Sequence, residues 1–238
     1  VDSPYEDPHK VWPLHKTVMK GILNQHDTRP GGAWSPEGQD ANSGGIWAPV
    51  RLHLSRGATL DEIILRPDWS QGLKRPELKA EIRYRALGQG TATVRLTATP
   101  ANFSGRRYQA DFPVTLESGA HSVQLTLPMP KAKLWWPVGT GKPHLYTIRV
   151  AFRDENGLMD TAVTRTGLRK IVEQPDNKGW LINDKRLFIK GSNYIGSPWL
   201  STMTREKYRR DLRLVEAMNA NAIRVHGHVA GRALYDVA

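Results

Sequence analysis

Apolar and polar residues alternate along three stretches in the middle of the chain, 93–98, 122–127 and 146–152. An alternation with a period of two places one face of a β-strand in a core and the other face in water. Turn-forming residues separate these stretches, at 88–90, 104–105, 118–119 and 154–157. The sequence therefore predicts a mainly β protein, with about six or seven short strands over residues 56–172 arranged as an antiparallel immunoglobulin-like β-sandwich.

The last part of the chain has a different pattern. Residues 187–194 and 222–228 are typical of buried strands, and the helical spacing of apolar residues over 205–218 predicts a helix between them. Thr204 is its predicted N-cap, and its predicted buried stripe consists of Tyr208, Leu212, Val215 and Met218. A parallel strand–helix–strand unit cannot bury both faces of its strands alone. We therefore expect this segment to belong to a larger fold.

Composition narrows the classes of partner. The net charge is +11 and the pI is about 10, which suits a polyanion such as nucleic acid or an acidic polysaccharide. The cations are scattered rather than gathered in a run, which argues against nucleic acid. With no cysteine, disulfides and thiolate metal sites are excluded. No apolar run is long enough to span a membrane. We expect no cofactor, no nucleic acid and no membrane partner.

The chain does not begin with methionine, and we expect a leader or an upstream domain to precede it. A periplasmic or secreted location is favoured over a cytoplasmic one, and the oligomeric state is left open. Residues 24–45 are interpreted as a long loop between candidate strands at 16–23 and 50–54. Loops of this length are often functional. Trp34 in this loop could stack on a sugar ring, whereas Trp135 and Trp136 are interpreted as packing residues.

Three polar residues mark the strand predicted at 222–228. His226 and His228 are two positions apart and point to the same side, at the carboxyl end of a strand, where parallel folds bind ligands. A hydrogen-bonding pocket wall is favoured over a metal pair, because no Asp or Glu lies nearby in sequence. Arg224 lies between two apolar residues. Either it is buried and needs a carboxylate from elsewhere, or it faces water.

Six segments, taken in order, resemble glycoside hydrolase family 2, closest to its β-mannosidase and exo-β-glucosaminidase branch. They are residues 44–52, 134–139, 145–148, 167–171, 188–194 and 221–227. The resemblance implies that residues 1–55 are the C-terminal part of a jelly-roll sugar-binding domain. It also implies that residues 56–172 are the immunoglobulin-like sandwich, and that 173–238 begin a (β/α)8 barrel with its first βαβ unit.

Members of this family hydrolyse glycosides with retention, using two glutamates about 5 Å apart, an acid/base and a nucleophile. The acid/base follows an asparagine after a later barrel strand, and this chain contains no Asn-Glu dipeptide. A full barrel takes about 250 residues. The resemblance therefore implies that both catalytic carboxylates lie outside this chain, so that no catalytic residue is assigned here and the chain alone is inactive.

The resemblance also assigns residues around the sugar. Arg224 matches an arginine that supports the nucleophile, and His226, Asn193 and Tyr194 fall where the family lines its sugar pocket. With Trp34, these are the predicted substrate-binding residues. Residues 195–200 lack the Asp often found beside the substrate, so the sugar stays open among β-mannoside, β-glucosaminide and β-galactoside.

The sequence thus predicts part of a retaining exo-β-glycosidase of carbohydrate catabolism, acting on an oligo- or polysaccharide. The alternatives are a non-catalytic carbohydrate-binding or structural β-sandwich module, and a basic binder of nucleic acid or acidic polysaccharide. The last would show a steep dependence of affinity on salt.

Overall fold

The computed structural model describes residues 49–175, 179–197, 202–226 and 229–238. The chain separates into two compact units. One consists of Leu52–Phe188, and the other contains Ile189–Ala238. The described residues are mainly β, as predicted. The candidate strand at 16–23 and the long loop at 24–45, with Trp34, lie outside the described residues.

Two antiparallel sheets dominate the Leu52–Phe188 unit. The first has the order β1-β2-β5 and contains Ala58–Asp68 (β1), Glu77–Ala86 (β2) and Gly119–Pro128 (β5). The second has the order β4-β3-β6-β7 and contains Gly90–Pro100 (β3), Tyr108–Leu116 (β4), Tyr146–Asp154 (β6) and Gly157–Thr166 (β7). The three alternating stretches fall inside β3, β5 and β6, and the four predicted turns separate strands, so these predictions are confirmed.

The two sheets share one hydrophobic core. Ile82 in the first sheet and Leu96 and Ile148 in the second are fully buried members of the same cluster. The rings of Tyr84 and Phe152, one from each sheet, have centroids 4.9 Å apart. Each sheet therefore covers the apolar face of the other, which is the reason why the period-two pattern holds in both.

A short hairpin follows the two sheets within the same unit. Trp180–Ile182 (β9) pairs with Ile171–Glu173 (β8) on one side and with Lys185–Leu187 (β10) on the other, all antiparallel. Asn183 and Asp184 join β9 to β10 with φ of 51° and 65°. Two consecutive positive φ angles are typical of a two-residue type I′ turn, which favours Asn and Asp. The sequence Asn183-Asp184 also predicts a hairpin turn at this place, and the structure confirms it.

The strand predicted at 50–54 is wrong. These residues are irregular and exposed, and the side chain of Leu52 is 87 % accessible. The short apolar alternation here has no pairing strand among the described residues, and alternation alone does not form a strand without one. Regular pairing begins at Ala58, after an isolated bridge between Arg56 and Ala58.

The second unit is the predicted strand–helix–strand, with shorter strands than expected. Gly191–Tyr194 (β11) pairs in parallel with Ala222–Val225 (β12), and Arg205–Ala217 (α1) connects them. Arg232–Val237 (α2) follows. Tyr208, Ala230 and Leu234 form a small core in this unit. Neither helix of the described residues has the length and apolar character that a bilayer crossing requires.

Helix α1 begins as predicted. The Thr204 side chain accepts a hydrogen bond from the Lys207 backbone N–H, which makes Thr204 the N-cap. Of the predicted buried stripe, Tyr208 is buried and Leu212 packs against the small core. Met218 is 69 % exposed, so its prediction is wrong. Met218 is the C-cap, where the backbone leaves the helical conformation and the helical spacing no longer directs the side chain inward.

A buried carboxylate joins the outer strands β1 and β7. Asp160, 5 % exposed, accepts hydrogen bonds of 2.7 Å from the backbone N–H groups of Leu60 and Thr161. His53 Nε2 lies 2.9 Å from Asp160 Oδ2. The register of both strand pairs shifts beside this residue, between Leu60 and Glu62 in β1 and opposite Phe152 and Arg153 in β6. Asp160 therefore satisfies donors that the irregular strands leave without a ladder partner.

Replacing Asp160 with alanine is expected to lower the free energy of unfolding by about 2 kcal/mol, because buried backbone donors lose their acceptor. Thermal or urea unfolding measures the change. Asp111→Ala is the matched control, since Asp111 also pairs with a basic side chain but is exposed. That exposed pair should contribute less than about 1 kcal/mol. Equal losses in the two variants would contradict the role given to Asp160.

The buried hydroxyl of Tyr146 is expected to make the folded chain less stable at alkaline pH. Burial raises the pKa of Tyr146 to about 12, and its oxygen accepts a hydrogen bond of 2.9 Å from the Lys133 backbone N–H. Because the folded pKa exceeds the ordinary value of 10.0, the stabilisation is complete below pH 10 and is lost as the pH rises towards 12. Tyr146→Phe should flatten this fall in a pH series of melting temperatures. Tyr235→Phe, at a ring 57 % exposed, should leave it unchanged.

Candidate functional site

The parallel pairing of β11 with β12 sets the geometry of the candidate site. The register places Asn193 opposite Arg224 and Tyr194 opposite Val225. The His226 backbone N–H donates to the Tyr194 carbonyl over 3.1 Å, which extends the pairing by one residue. Since both strands run in the same direction, their carboxyl ends lie at one edge. Side chains that follow each strand end are thereby brought together.

The close approach of the two strands requires a glycine at residue 191. A Cβ atom placed there would lie 2.1 Å from the Ala222 carbonyl oxygen, far inside van der Waals contact. No larger residue fits without separating the strands. The position is therefore a local reason why Asn193 and Arg224 stand side by side two residues further on.

Arg224, Asn193 and His226 form one hydrogen-bonded group, here called the Asn193–Arg224–His226 cluster. Arg224 Nη1 donates to Asn193 Oδ1 over 3.1 Å and lies 2.9 Å from His226 Nδ1. A guanidinium only donates, so His226 Nδ1 is the acceptor in this contact. The three side chains hold one another in fixed orientations at the carboxyl edge of the strand pair.

The contacts of Arg224 show its surroundings in the chain as described. Its side chain is exposed, and among the described residues it bonds to an amide and an imidazole rather than to a carboxylate. Burial of Arg224 against a carboxylate from elsewhere stays a prediction. Its apolar neighbours Ile223 and Val225 face the small core, and strand alternation turns Arg224 to the opposite side.

Tyr194 has a different environment from the cluster. Its hydroxyl donates to Asp211 Oδ2 on α1 over 2.8 Å, and Arg210 holds the other oxygen of Asp211 over 2.9 Å. Burial, followed by the hydrogen bond to Asp211, raises the pKa of Tyr194. The hydroxyl thus fastens β11 to α1, which makes Tyr194 a positioning residue in this geometry. Whether it also touches a sugar stays a prediction.

A cleft of about 460 Å³ lies beside the cluster, between β11 and the end of α1. Asn193, Val215, Met218 and Ile223 are among its lining residues. The cleft has an apolar wall, and Asn193 is the member of the cluster among its described lining residues.

Two predicted features lie outside these contacts. Trp34 and His228 are not among the described residues. In the described part of the chain, no group of three or more His, Cys, Asp or Glu side chains could hold a metal ion. Of the five predicted substrate-binding residues, the structure therefore brings three together and places Tyr194 beside them on the α1 side.

Trp135 and Trp136 pack within the Leu52–Phe188 unit. The Arg169 guanidinium lies 4.7 Å from the Trp135 ring centre, and the Lys185 ammonium lies 5.1 Å from that of Trp136. Asn183 Nδ2 donates to the Trp135 carbonyl over 2.9 Å. Burial lowers the pKa of Arg169. These contacts agree with the prediction that both tryptophans pack rather than bind sugar.

Sequence reasoning missed two carboxylates. In the sequence Asp211 is one of three acids interleaved with the cations of residues 205–216, yet its carboxylate accepts the hydrogen bond of the Tyr194 hydroxyl. Asp160 was not singled out, yet it is buried and joins two strands. Asp160 alternates with the apolar Leu158 and Ala162 along β7, which was the available signal, and nothing in the local sequence of α1 distinguishes Asp211 from its acidic neighbours.

Comparison with known proteins identifies the two-sheet region. Residues 58–169 match the family described as "Glycosyl hydrolases family 2". The predicted resemblance of the chain to the β-mannosidase and exo-β-glucosaminidase branch is confirmed by its curated and structural neighbours.

Two curated relatives illustrate the branch. A mannosylglycoprotein endo-β-mannosidase of Lilium longiflorum is 26% identical over 207 residues, which are 82% of this chain and 22% of the relative. An exo-β-D-glucosaminidase of Hypocrea jecorina is 24% identical over 211 residues, which are 86% of this chain and 23% of the relative. The chain thus spans less than a quarter of the length of these family 2 relatives.

Solved structures support the fold. The β-D-mannosidase from Dictyoglomus thermophilum superposes with a TM-score of 0.67 at 24% identity, over 76% of this chain and 23% of that one. The exo-chitosanase of Amycolatopsis orientalis gives a TM-score of 0.63 at 18% identity, over 77% and 22% of the two chains. At these identities the likeness shows a shared fold and leaves the substrate open.

Gly191→Ala is expected to separate β11 from β12 and to break the Asn193–Arg224 hydrogen bond, because the added Cβ collides with backbone. The amide of His226 should then exchange hydrogen at least about tenfold faster, which corresponds to about 1.4 kcal/mol of lost local protection. Gly88→Ala is the control, since a Cβ there meets nothing within 4 Å. Unchanged exchange in Gly191→Ala would refute the steric argument.

Proposed function

We propose that this chain is part of a retaining exo-β-glycosidase that hydrolyses terminal β-linked sugars of oligo- or polysaccharides in carbohydrate catabolism. β-Mannosides, β-glucosaminides and β-galactosides are the candidate substrates. The family 2 match and the glycosidase relatives support the class of reaction. The observation that links the proposal to particular residues is the position of the Asn193–Arg224–His226 cluster at the carboxyl edge of a parallel strand pair.

The proposed domain plan follows the same resemblance. Residues 1–55 end a jelly-roll sugar-binding domain, 56–172 form an immunoglobulin-like sandwich, and 173–238 begin a (β/α)8 barrel. The two facing antiparallel sheets support the second assignment, and the parallel β11–β12 pair with its connecting helix supports the third. In barrels of this kind the active site forms at the carboxyl ends of the strands.

The cluster would act through its donors. Arg224 Nη1 donates to Asn193 and contacts His226. The exposed guanidinium has further N–H groups in a planar arrangement that matches a carboxylate or two sugar hydroxyls. A retaining mechanism needs two carboxylates about 5 Å apart. In the proposed enzyme those carboxylates come from other strands of the barrel, and Arg224 holds one of them while His226 and Asn193 contact the sugar. Trp34 remains a candidate for stacking on the sugar ring.

The proposal is tested with the complete enzyme that contains this chain, on a panel of aryl β-glycosides. Release of nitrophenol from the β-mannoside, β-glucosaminide or β-galactoside is expected, and proton NMR of the first-formed sugar should show the β anomer. The 238-residue chain assayed alone should release none. An α-configured first product would refute retention. Binding of sugars without any turnover by the complete protein would favour the binding-module alternative.

Arg224→Gln in the complete enzyme is expected to lower kcat/KM by about 100-fold or more, the usual loss when a donor near developing charge is removed. Because the residue acts on groups in the transition state, the loss should lie in kcat rather than in KM. Arg213→Gln is the matched control, being an exposed arginine on α1 in the same unit. Equal activity of the two variants would remove Arg224 from the site.

A further inference from the structure

A groove with two connected walls lies in the Leu52–Phe188 unit and contains no residue of the Asn193–Arg224–His226 cluster. One wall is formed by residues 71–77, from the loop between β1 and β2, and the other by residues 128–134 after β5. The Lys131 N–H donates to the Lys74 carbonyl over 2.8 Å, and the Met129 N–H donates to the Pro76 carbonyl over 2.9 Å. These backbone bonds hold the walls together, so the groove of about 760 Å³ is already formed in the free chain.

One wall contains a strained backbone position. Lys131 has φ of 60°, and the Ala132 N–H donates to the Met129 carbonyl over 3.1 Å, closing a turn with Pro130 before Lys131. This is the pattern of a type II turn, whose third position favours glycine or asparagine. A lysine there costs about 1 kcal/mol of backbone strain. The strained residue projects an exposed cation into the groove lining, where glycine would have fitted the turn without cost.

Three cationic side chains of the groove lack the ion pairs that neighbouring cations form. Lys74, Arg75 and Lys131 are exposed and line the groove, and no described carboxylate forms an ion pair with them. On the adjoining strands, by contrast, Arg66 pairs with Glu81 and Lys79 pairs with Asp68. The lining contains one acid, Glu77, which accepts a hydrogen bond of 3.3 Å from Gln71 Nε2. Three cations without an ion pair to a described carboxylate therefore lie together in one groove, in a chain of net charge +11.

We infer that this groove binds a carboxylated polysaccharide, with the uronate carboxylates of successive residues on Lys74, Arg75 and Lys131. Leu73, Pro76 and Leu134 form an apolar floor against which the C–H faces of pyranose rings can lie. None of the described lining residues is aromatic, and single-stranded nucleic acids depend on aromatic rings for base stacking. The choice of a saccharide over other polyanions rests on the proposed function.

The direct test is fluorescence anisotropy of a labelled oligogalacturonide titrated with the 238-residue chain at about 50 mM and about 500 mM NaCl. Binding is expected at low salt and should fall at least about tenfold at high salt, because ion contacts release counterions. Lys74→Gln/Arg75→Gln/Lys131→Gly should weaken binding at least about tenfold. Its melting temperature should be unchanged or higher, since glycine relieves the positive φ at residue 131.

A matched control keeps the test independent of overall charge. Arg85→Gln/Arg107→Gln/Lys142→Gln removes three exposed cations of the same unit outside the groove and should bind as the parent chain does. An equal loss in this variant would mean that diffuse charge alone explains the binding, and would overturn the site.

Tighter binding of a single-stranded oligonucleotide of equal charge would overturn the saccharide assignment. Labelled neutral manno-oligosaccharides and cationic chito-oligosaccharides should not bind the groove. None of these outcomes depends on turnover, so a failure here leaves the proposed glycosidase activity to its own test.

Discussion

The two antiparallel sheets of the Leu52–Phe188 unit are stable because each covers the apolar face of the other. Each sheet alone would expose its apolar face to water. The shared core removes the apolar faces of both sheets from water. Contacts such as the Tyr84–Phe152 ring pair lie at the centre of this arrangement. Local irregularities are tolerated around it, since Asp160 satisfies the donors that the shifted registers of β1 and β7 leave behind. The turns, the groove walls and the β8–β9–β10 hairpin all extend from strands that the shared core holds in place.

The second unit follows a different principle. Parallel strands need a helical crossover and cover on both faces, and here β11 and β12 have one helix layer and a small core. The pair is nevertheless well defined because Gly191 lets the backbones approach and Tyr194 is fastened to α1 through Asp211. The result is an edge where Asn193, Arg224 and His226 stand in hydrogen-bond contact. A later strand that brought a carboxylate to this edge would meet a guanidinium already oriented by two neighbours, which is the physical basis of the proposed role of Arg224.

Charge is distributed unevenly over the described residues. Many arginines of the sheets are neutralised by a nearby acid, as Arg95 is by Asp111 and Arg56 by Asp154, and hydrogen bonds from these arginines lower the pKa of both carboxyls. Such exposed pairs contribute little to stability but cancel the local field. The three groove cations lack that compensation, and one of them occupies a backbone conformation that disfavours lysine. Net charge alone would not have located this feature, because a surplus of +11 is compatible with an even spread over the surface.

Local patterns in the sequence were sufficient to predict the strands β3, β5 and β6, the turns between them, the Asn183–Asp184 hairpin and the start of α1 at Thr204. Each depends on side chains within a few residues of one another, through period-two alternation, positive φ or an N-cap. The same reasoning failed at residues 50–54 and at Met218, where the outcome depends on a pairing strand or on the point at which a helix ends. It also left Arg224 undecided between burial and exposure.

The tertiary structure alone decided which groups meet: Asp160 with strands β1 and β7, Asp211 with Tyr194, and Lys131 with the loop that contains Lys74. These partners are separated by up to 100 residues, and a linear pattern records which face of an element is apolar but not which distant side chain will lie against it.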